Sequence, residues 1–347
     1  MRSGLEIRFH RSLTLSGDAP HVAARAPRPR AFRNVIPVST STPSSPSGPT
    51  SGPADPLAPL GELPGVAEAV AETRRAVDRL YGHRVMRRRA DEVTSEAALR
   101  GARASAALDG ADWPLEEVRR RTDFGRDVEA RTIGGALRLG VESGQLLGTW
   151  RHSPLQVLAR LHLLAVGDAD GPAVGRPRQA GEPVEELFRH QVTATEKVET
   201  ELPADLALPP APAAAEVSAR LDTLAQLLAS RGGTKHPNER TAPALVVAAV
   251  VHGELLTLRP FTSANGLVAR AATRIVLIAE GLDPKAICPM EVGLAELGTD
   301  AYRAALTGYA SGTAAGMAAW ISHCAQATRL GVRESTAVCE AMQRGMA

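Results

Sequence analysis

RPFTSANGLVAR, residues Arg259 to Arg270, joins two strongly apolar runs, and its reading decides how the rest of the chain folds. Upstream, Pro243 suits the first turn of a helix, where a missing N–H goes unneeded. Ala244 to Leu258 is then apolar on almost every side apart from His252 and Glu254, the pattern of a buried helix. Pro260 ends that helix, because its ring disfavours helical backbone in the residue before it. Asn265-Gly266 supplies the residues that most easily take positive φ. From Leu267 the run VARAATRIVLIAE is helical again, and Gly281 with Pro284 beyond it makes a C-terminal stop. A small-residue loop thus feeds a helix N-terminus. Free N–H groups and the positive end of the helix dipole converge there, with Arg270 and Arg274 in the first turns, which is the physical recipe for holding a phosphate. The same residues also fit a plain joint between two helices of an all-α core.

Working outward, the pattern predicts helices over Gly65 to Tyr81, Glu92 to Leu108, Leu115 to Arg120, Asp127 to Leu147, Pro154 to Val166, Pro183 to Lys197 and Ala215 to Ala229. Further helices are expected over Ala242 to Leu258, Gly266 to Glu280, Asp300 to Thr307, Gly312 to Ala327 and Glu334 to Arg344. The fold class is all-α. Residues 1–60 read as a disordered tail, because RAPRPR and STSTPSSPSGPTSGPADP are rich in Pro, Ser and Gly and poor in large apolar side chains; an overlong start would look the same. The first ordered residues are expected between Leu57 and Pro64. Residues 61–125 form an N-terminal helical region and 126–347 the helical core with its C-terminal helices. The N-terminus lacks a continuous apolar stretch of the secretory kind, and Ala244 to Leu258 is too short and too polar for a membrane span.

Composition narrows the chemistry. A net charge of +2 and 3% aromatic residues argue against a nucleic-acid binder; RVMRRR (Arg84 to Arg89) and RRRTDFGR (Arg119 to Arg126) read as solvated helix faces. Cys288, Cys324 and Cys339 have no metal-ligand spacing and fit reduced thiols in a cytoplasmic protein. The nine histidines are scattered, so no metal site is marked, and His252 and His162 read as hydrogen-bonded core residues. No G-x-S-x-G elbow, Walker loop or dinucleotide fingerprint occurs.

The loop resembles the signature of the Fic (Fido) family, H-P-F-x-[D/E]-G-N-G-R-x-x-R, with Pro260, Phe261, Asn265, Gly266 and Arg270 in register. His252 sits where many members carry a histidine in an A-x-x-H-x-x-F type helix. LPPAPAAAEVSARLDTLAQLL (Leu208 to Leu228) and AYRAALTGYASGTAAGMAAWISHCAQA (Ala301 to Ala327) are similar to the helices on either side of the motif, and the resemblance spans roughly Pro64 to Ala327. GPAVGRPRQAG (Gly171 to Gly181) is similar to a Gly/Arg-containing stretch before the core of many members, and equally fits a polar loop.

The resemblance implies a Fic-type helical domain and ATP or another nucleotide as ligand, held by Phe261, Thr262, Ser263, Ala264, Asn265, Gly266 and Arg270. It also implies a protein partner. In the family the motif histidine takes a proton from a target hydroxyl, which then attacks the α-phosphate of ATP. Here that position is Arg259, which keeps its proton at physiological pH and has no lone pair to offer. The metal position is Ser263, a poor sole anchor for magnesium. Leu267 replaces the first motif arginine and removes a fork-shaped phosphate donor. Ala264 replaces a glycine, costing on the order of 1 kcal/mol if that position needs positive φ.

SAALDG (Ser105 to Gly110) resembles the family's inhibitory motif, [S/T]-x-x-x-E-[G/N]. Ser105, Asp109 and Gly110 are then regulatory positions, with Asp109 implied to pair with Arg270; an Asp-Gly turn after a helix is the plainer reading. GGTKHPNERT (Gly232 to Thr241) lies where the family places a short β-hairpin flap, but Pro237 and its polarity favour a loop. A catalytically degenerate protein that binds a nucleotide, another phosphate compound or a protein partner is therefore expected. The alternative is a transferase of altered chemistry in which Arg259 stabilises phosphate charge.

Overall fold

The computed structural model describes residues 55–125, 127–167, 171–198, 207–231 and 241–345. Eleven α-helices occur among the described residues: α1 (Val66–Tyr81), α2 (Ala90–Leu108), α3 (Leu115–Arg120), α4 (Val128–Glu142), α5 (Leu147–Trp150), α6 (Pro154–Val166), α7 (Ala214–Ser230), α8 (Ala244–Leu258), α9 (Asn265–Ala279), α10 (Met290–Ser311) and α11 (Ala314–Gln343). No strand occurs among these residues, and most of the expected flap position, 232–240, lies outside them.

α8 is the centre of the fold because its sequence permits nothing else. Every residue from Leu245 to Leu258 is buried, so apolar side chains face neighbours all round, the opposite of a surface helix with one apolar stripe. α9 packs antiparallel-fashion behind the joining loop, α10 and α11 lie along each other, α1 rests on α11, and α2 bridges α4 and α10. Small residues permit the closest approaches. A Cβ on Gly293 would lie 2.0 Å from the Ala327 carbonyl oxygen, between α10 and α11, and one on Gly135 would lie 2.2 Å from the Ala165 carbonyl oxygen, between α4 and α6. Side-chain caps start two helices: Asp127 accepts from the Ala130 N–H at 2.9 Å, and the Thr313 hydroxyl accepts from the Gly316 N–H at 3.1 Å.

Several sequence expectations are corrected. Asp55 to Leu60, assigned to the tail, are structured: Leu57 is fully buried, and the Asp55 carboxylate takes the Ala242 N–H at 2.7 Å and an ion pair from Arg231. The helix expected over Asp127 to Leu147 stops at Glu142, and the Ser143 hydroxyl returns to the Leu139 carbonyl, leaving α5 as a separate turn. The last two expected helices are one 30-residue helix, α11. Gly331 lies inside it, and its missing Cβ lets α11 pass the Pro289 carbonyl oxygen, which such an atom would approach to 2.5 Å. α10 begins ten residues earlier than expected and breaks once, at Gly298 with φ 82°.

The largest difference is Pro183 to Lys197, which is not helical. Its main chain is satisfied by tertiary partners instead. Thr299 N–H donates to the Val192 carbonyl at 3.0 Å, Val192 N–H donates to the Thr299 hydroxyl at 2.9 Å, and Thr195 N–H donates to the Glu296 carbonyl at 2.8 Å. The segment is thus tied to the break in α10. Gly298 is required there twice over, for its positive φ and because a Cβ would meet the Ala194 nitrogen at 2.8 Å.

Candidate functional site

The loop between α8 and α9 is tied at both ends. Asn265 accepts from the Phe261 N–H at 2.9 Å and donates to the Phe261 carbonyl at 2.8 Å, so one amide side chain closes the turn. The Phe261 ring stacks on His162 of α6 with centroids 4.2 Å apart. Positive φ is carried by Arg259 (46°) and Ala264 (56°), not by the Asn-Gly pair to which the sequence assigned it. Gly266 is needed for a different reason: it is helical, and a Cβ there would lie 2.6 Å from the Asp109 carboxylate. Ala264 therefore pays the left-handed penalty that glycine would avoid. Ala264→Gly is expected to raise stability by about 0.5–1 kcal/mol, measured by urea denaturation, because relief of the Cβ clash outweighs the added freedom of the unfolded chain. An unchanged or lower midpoint would contradict this.

At the start of α9 the expected anion cradle exists, and it holds a carboxylate of the chain itself. Glu185 accepts from the Ala264 N–H at 2.8 Å, the Asn265 N–H at 2.7 Å and the Asn265 side-chain amide at 2.7 Å. Both carboxylate oxygens are engaged. Burial and the nearby charge of Asp109 push the Glu185 pKa up, while the three donors oppose that shift. Sequence reading did not find Glu185. It lies about 80 residues from the loop, in a segment read as a helix face, and no local pattern links the two.

One turn into α9, Arg270 is 4% exposed and reaches back to the end of α2. Its guanidinium donates to the Ser105 hydroxyl at 2.7 Å and to the Ser105 carbonyl at 3.0 Å, and pairs with Asp109 at 2.9 Å. Burial works against its charge, and Asp109 with the neighbouring Tyr302 outweighs that, so its pKa is raised. Ser105, Asp109, Gly266 and Arg270 are thus brought together. Gly110 follows with φ 96°, and a Cβ there would strike the His190 ring at 2.5 Å.

Other candidate residues do not converge. Arg274 is not at the cradle: it faces α10 and forms a buried pair with Glu291 at 2.9 Å. Leu267 is buried against α4, Ser263 is exposed, and Thr262 is half-buried. Arg259 turns its guanidinium toward the Pro209 carbonyl, at 2.8 Å, and its Nε has no partner although the side chain is buried. Burial and the adjacent charge of Arg178 lower its pKa; Glu185 acts the other way. Arg178, in the stretch read as a Gly/Arg segment or a polar loop, closes the C-terminus of α8. Its guanidinium reaches the Arg259 carbonyl at 3.0 Å and the Pro212 carbonyl, and its N–H donates to the Pro260 carbonyl at 2.7 Å. A cation placed against the last carbonyls also suits the helix dipole.

The donor set does not fit magnesium. Both Glu185 oxygens are engaged by N–H donors, Asp109 is committed to Arg270, and the loop itself offers only the neutral hydroxyls of Thr262 and Ser263. His252 and His162 occupy core positions: His252 Nε2 lies 2.5 Å from the Tyr302 hydroxyl, and His162 Nδ1 accepts from the Gly175 N–H at 2.9 Å. Cys288, Cys324 and Cys339 are buried and free, and among the described residues no group of three His, Cys, Asp or Glu is placed to hold a metal. No described helix is long and apolar enough to cross a membrane.

No protein-family model matches the sequence, and no curated protein matches it. Solved structures do. A Fic family protein from Desulfovibrio desulfuricans G20 is similar with a TM-score of 0.57 at 21% identity, covering 79% of this chain and 75% of that one. Fic-1 from C. elegans is similar with a TM-score of 0.51 at 16% identity, covering 80% of this chain and 75% of that one. Together with the α8–loop–α9 arrangement, these likenesses identify the fold of this chain as that of the Fic, or Fido, domain.

Proposed function

We propose that this chain is a catalytically degenerate Fido-fold protein that binds a phosphate-bearing ligand, a nucleotide by preference, at the α9 N-terminus, and acts through that binding or through a protein partner rather than through adenylyl transfer. The observation that carries the reading is the convergence of the Ala264 and Asn265 N–H groups and the Asn265 amide on one anionic group at 2.7–2.8 Å. The chemistry beside it is missing. Arg259 stands where a proton acceptor is needed and has no lone pair, and a developing nucleophile would meet no base there. Asp109 on Arg270 occupies the guanidinium that a terminal phosphate would need.

Calorimetric titration with ATP, ADP, AMP and tripolyphosphate is expected to show binding, while incubation with α-labelled ATP and a lysate labels no protein above a boiled control. Absence of heat with every anion, in the parent and also in Glu185→Ala, leaves a scaffold or partner-binding protein in place of this reading. Transfer of label, increased by Asp109→Gly, would establish the alternative in which Arg259 stabilises phosphate charge and the substrate supplies its own base.

A further inference from the structure

We propose that Glu185 is a built-in competitor for the α9 cradle, so that an incoming phosphate must displace its carboxylate and release the arch of chain from Pro183 to Arg189. The proposal rests on the reading that the cradle takes a phosphate. It adds that the free protein holds the cradle closed with its own side chain, a lock separate from the Asp109–Arg270 pair.

Three features make this contact a lock rather than a piece of core. First, the chain immediately around Glu185 has few other ties. On one side the Arg176–Glu182 ion pair (2.9 Å on one branch) and the Arg178 N–H on the Pro260 carbonyl hold it; on the other, Val192 is hydrogen-bonded to Thr299 at the break in α10. Between these anchors Pro183, Val184, Glu186 and Arg189 are exposed, and Glu185 itself is half-buried. Near its far end Leu187 and Phe188 pack against the core, with the Phe188 ring against Tyr302 (centroids 5.0 Å) and the Arg303 guanidinium both on the Phe188 carbonyl (2.8 Å) and over its ring. The second feature is that the occupant is electrostatically ill-suited. Its neighbour Asp109 is also a carboxylate, and that charge together with burial raises the Glu185 pKa, so leaving the cradle relieves a repulsion.

Third, the site has a donor that Glu185 does not use. Arg259 is 9% exposed, its Nε is unpartnered, and its guanidinium charge acts on Glu185. Both oxygens of the carboxylate are already committed to three N–H donors. A phosphate brings more acceptor oxygens and more negative charge to the same place, and so has atoms to spare for a second cation. Displacement exchanges three hydrogen bonds for at least as many, and binding is weakened only by the fraction of time the cradle is closed.

The test is calorimetric titration of tripolyphosphate into the full chain and into Glu185→Gln, Glu185→Ala and Glu186→Gln, with hydrogen exchange followed over residues 183–189. The two Glu185 variants are expected to bind about tenfold or more tightly than the parent, the ratio for a cradle closed nine-tenths of the time. Glu186→Gln, altered on the exposed neighbour, is expected to bind as the parent does. Exchange over the arch should rise in Glu185→Ala without ligand and in the parent with it. Binding by the Glu185 variants but not by the parent also supports the lock. Equal affinity in parent and Glu185 variants overturns it and leaves the phosphate reading standing. No binding by any folded variant overturns both. Glu185→Gln keeps the shape of the arch, so a failure of Glu185→Ala to fold does not remove the test.

Discussion

Between pH 6.5 and about 4 the protein is expected to lose stability steeply, because three histidines are buried as neutral rings. Burial pushes the pKa of His162 down to about 4 and that of His323 down to about 4, and His252 is held well below its usual value by burial with the added charge of Arg270. The geometry agrees. His162 Nδ1 accepts the Gly175 N–H, a bond lost on protonation, and its ring lies flat on Phe261; His252 is fully buried with Nδ1 unpartnered. In the unfolded chain each ring takes up its proton near pH 6.5, so through this window the unfolded state binds more protons and stability rises with pH. It is fully present above 6.5 and is lost on the way down. Each ring contributes a slope of about 1.4 kcal/mol per pH unit, and three together roughly 4, against the ~5–15 kcal/mol total of an ordinary domain. The Glu182 carboxylate, pulled down to about 2 by Arg176, keeps its charge through the whole window. Urea denaturation at pH 7.5, 6.5, 5.5 and 4.5 measures the slope, and His323→Phe should reduce it by about a third. A flat profile from pH 7 to 5 would show that the rings reach water.

Replacing Glu254 alone is expected to cost about 3–5 kcal/mol. Its side chain is wholly buried in α8, where both carboxylate oxygens receive Arg220 of α7, at 2.8 and 2.9 Å, and the Tyr309 hydroxyl donates at 3.1 Å. Glu254→Ala takes from the Arg220 guanidinium, 8% exposed, both of its bonds to a buried carboxylate and leaves the exposed Glu216, at 3.5 Å, as a weaker acidic neighbour. The desolvation of a buried cation is then less well compensated. The double change Arg220→Met with Glu254→Leu removes both charges and fills the space, and should recover most of the loss. Denaturation midpoints of the single and double variants decide this; a single variant that loses less than about 1 kcal/mol would mean that the pair is hydrated.

What could be read beforehand follows the range of the forces involved. α3 and α6 begin and end where their sequence patterns place them, because periodicity, Pro154 and the flanking polar residues are local signals. At Gly331, inside α11, and at Gly298, where α10 breaks, no local signal decides the outcome. Whether a glycine ends a helix, kinks it or admits a neighbouring backbone depends on what lies across from it. Pro183 to Lys197 has an amphipathic pattern that suits a helix, yet its backbone groups find better partners on α10 and its Glu185 finds the cradle.

By itself the sequence determined that α8 would be buried, that a small-residue loop would feed the start of α9, and that Arg259 could not serve as a base. Each is a property of residue type or near-neighbour spacing. Tertiary structure alone decided which anion fills the cradle, where the positive φ values fall, and that Arg274 turns away to Glu291; the pairing of Arg270 with Asp109 is already implied by the resemblance of SAALDG to the inhibitory motif. Those outcomes depend on which distant groups meet in a low-dielectric interior, where an ionic group must find a partner and the fold, not the local sequence, chooses it.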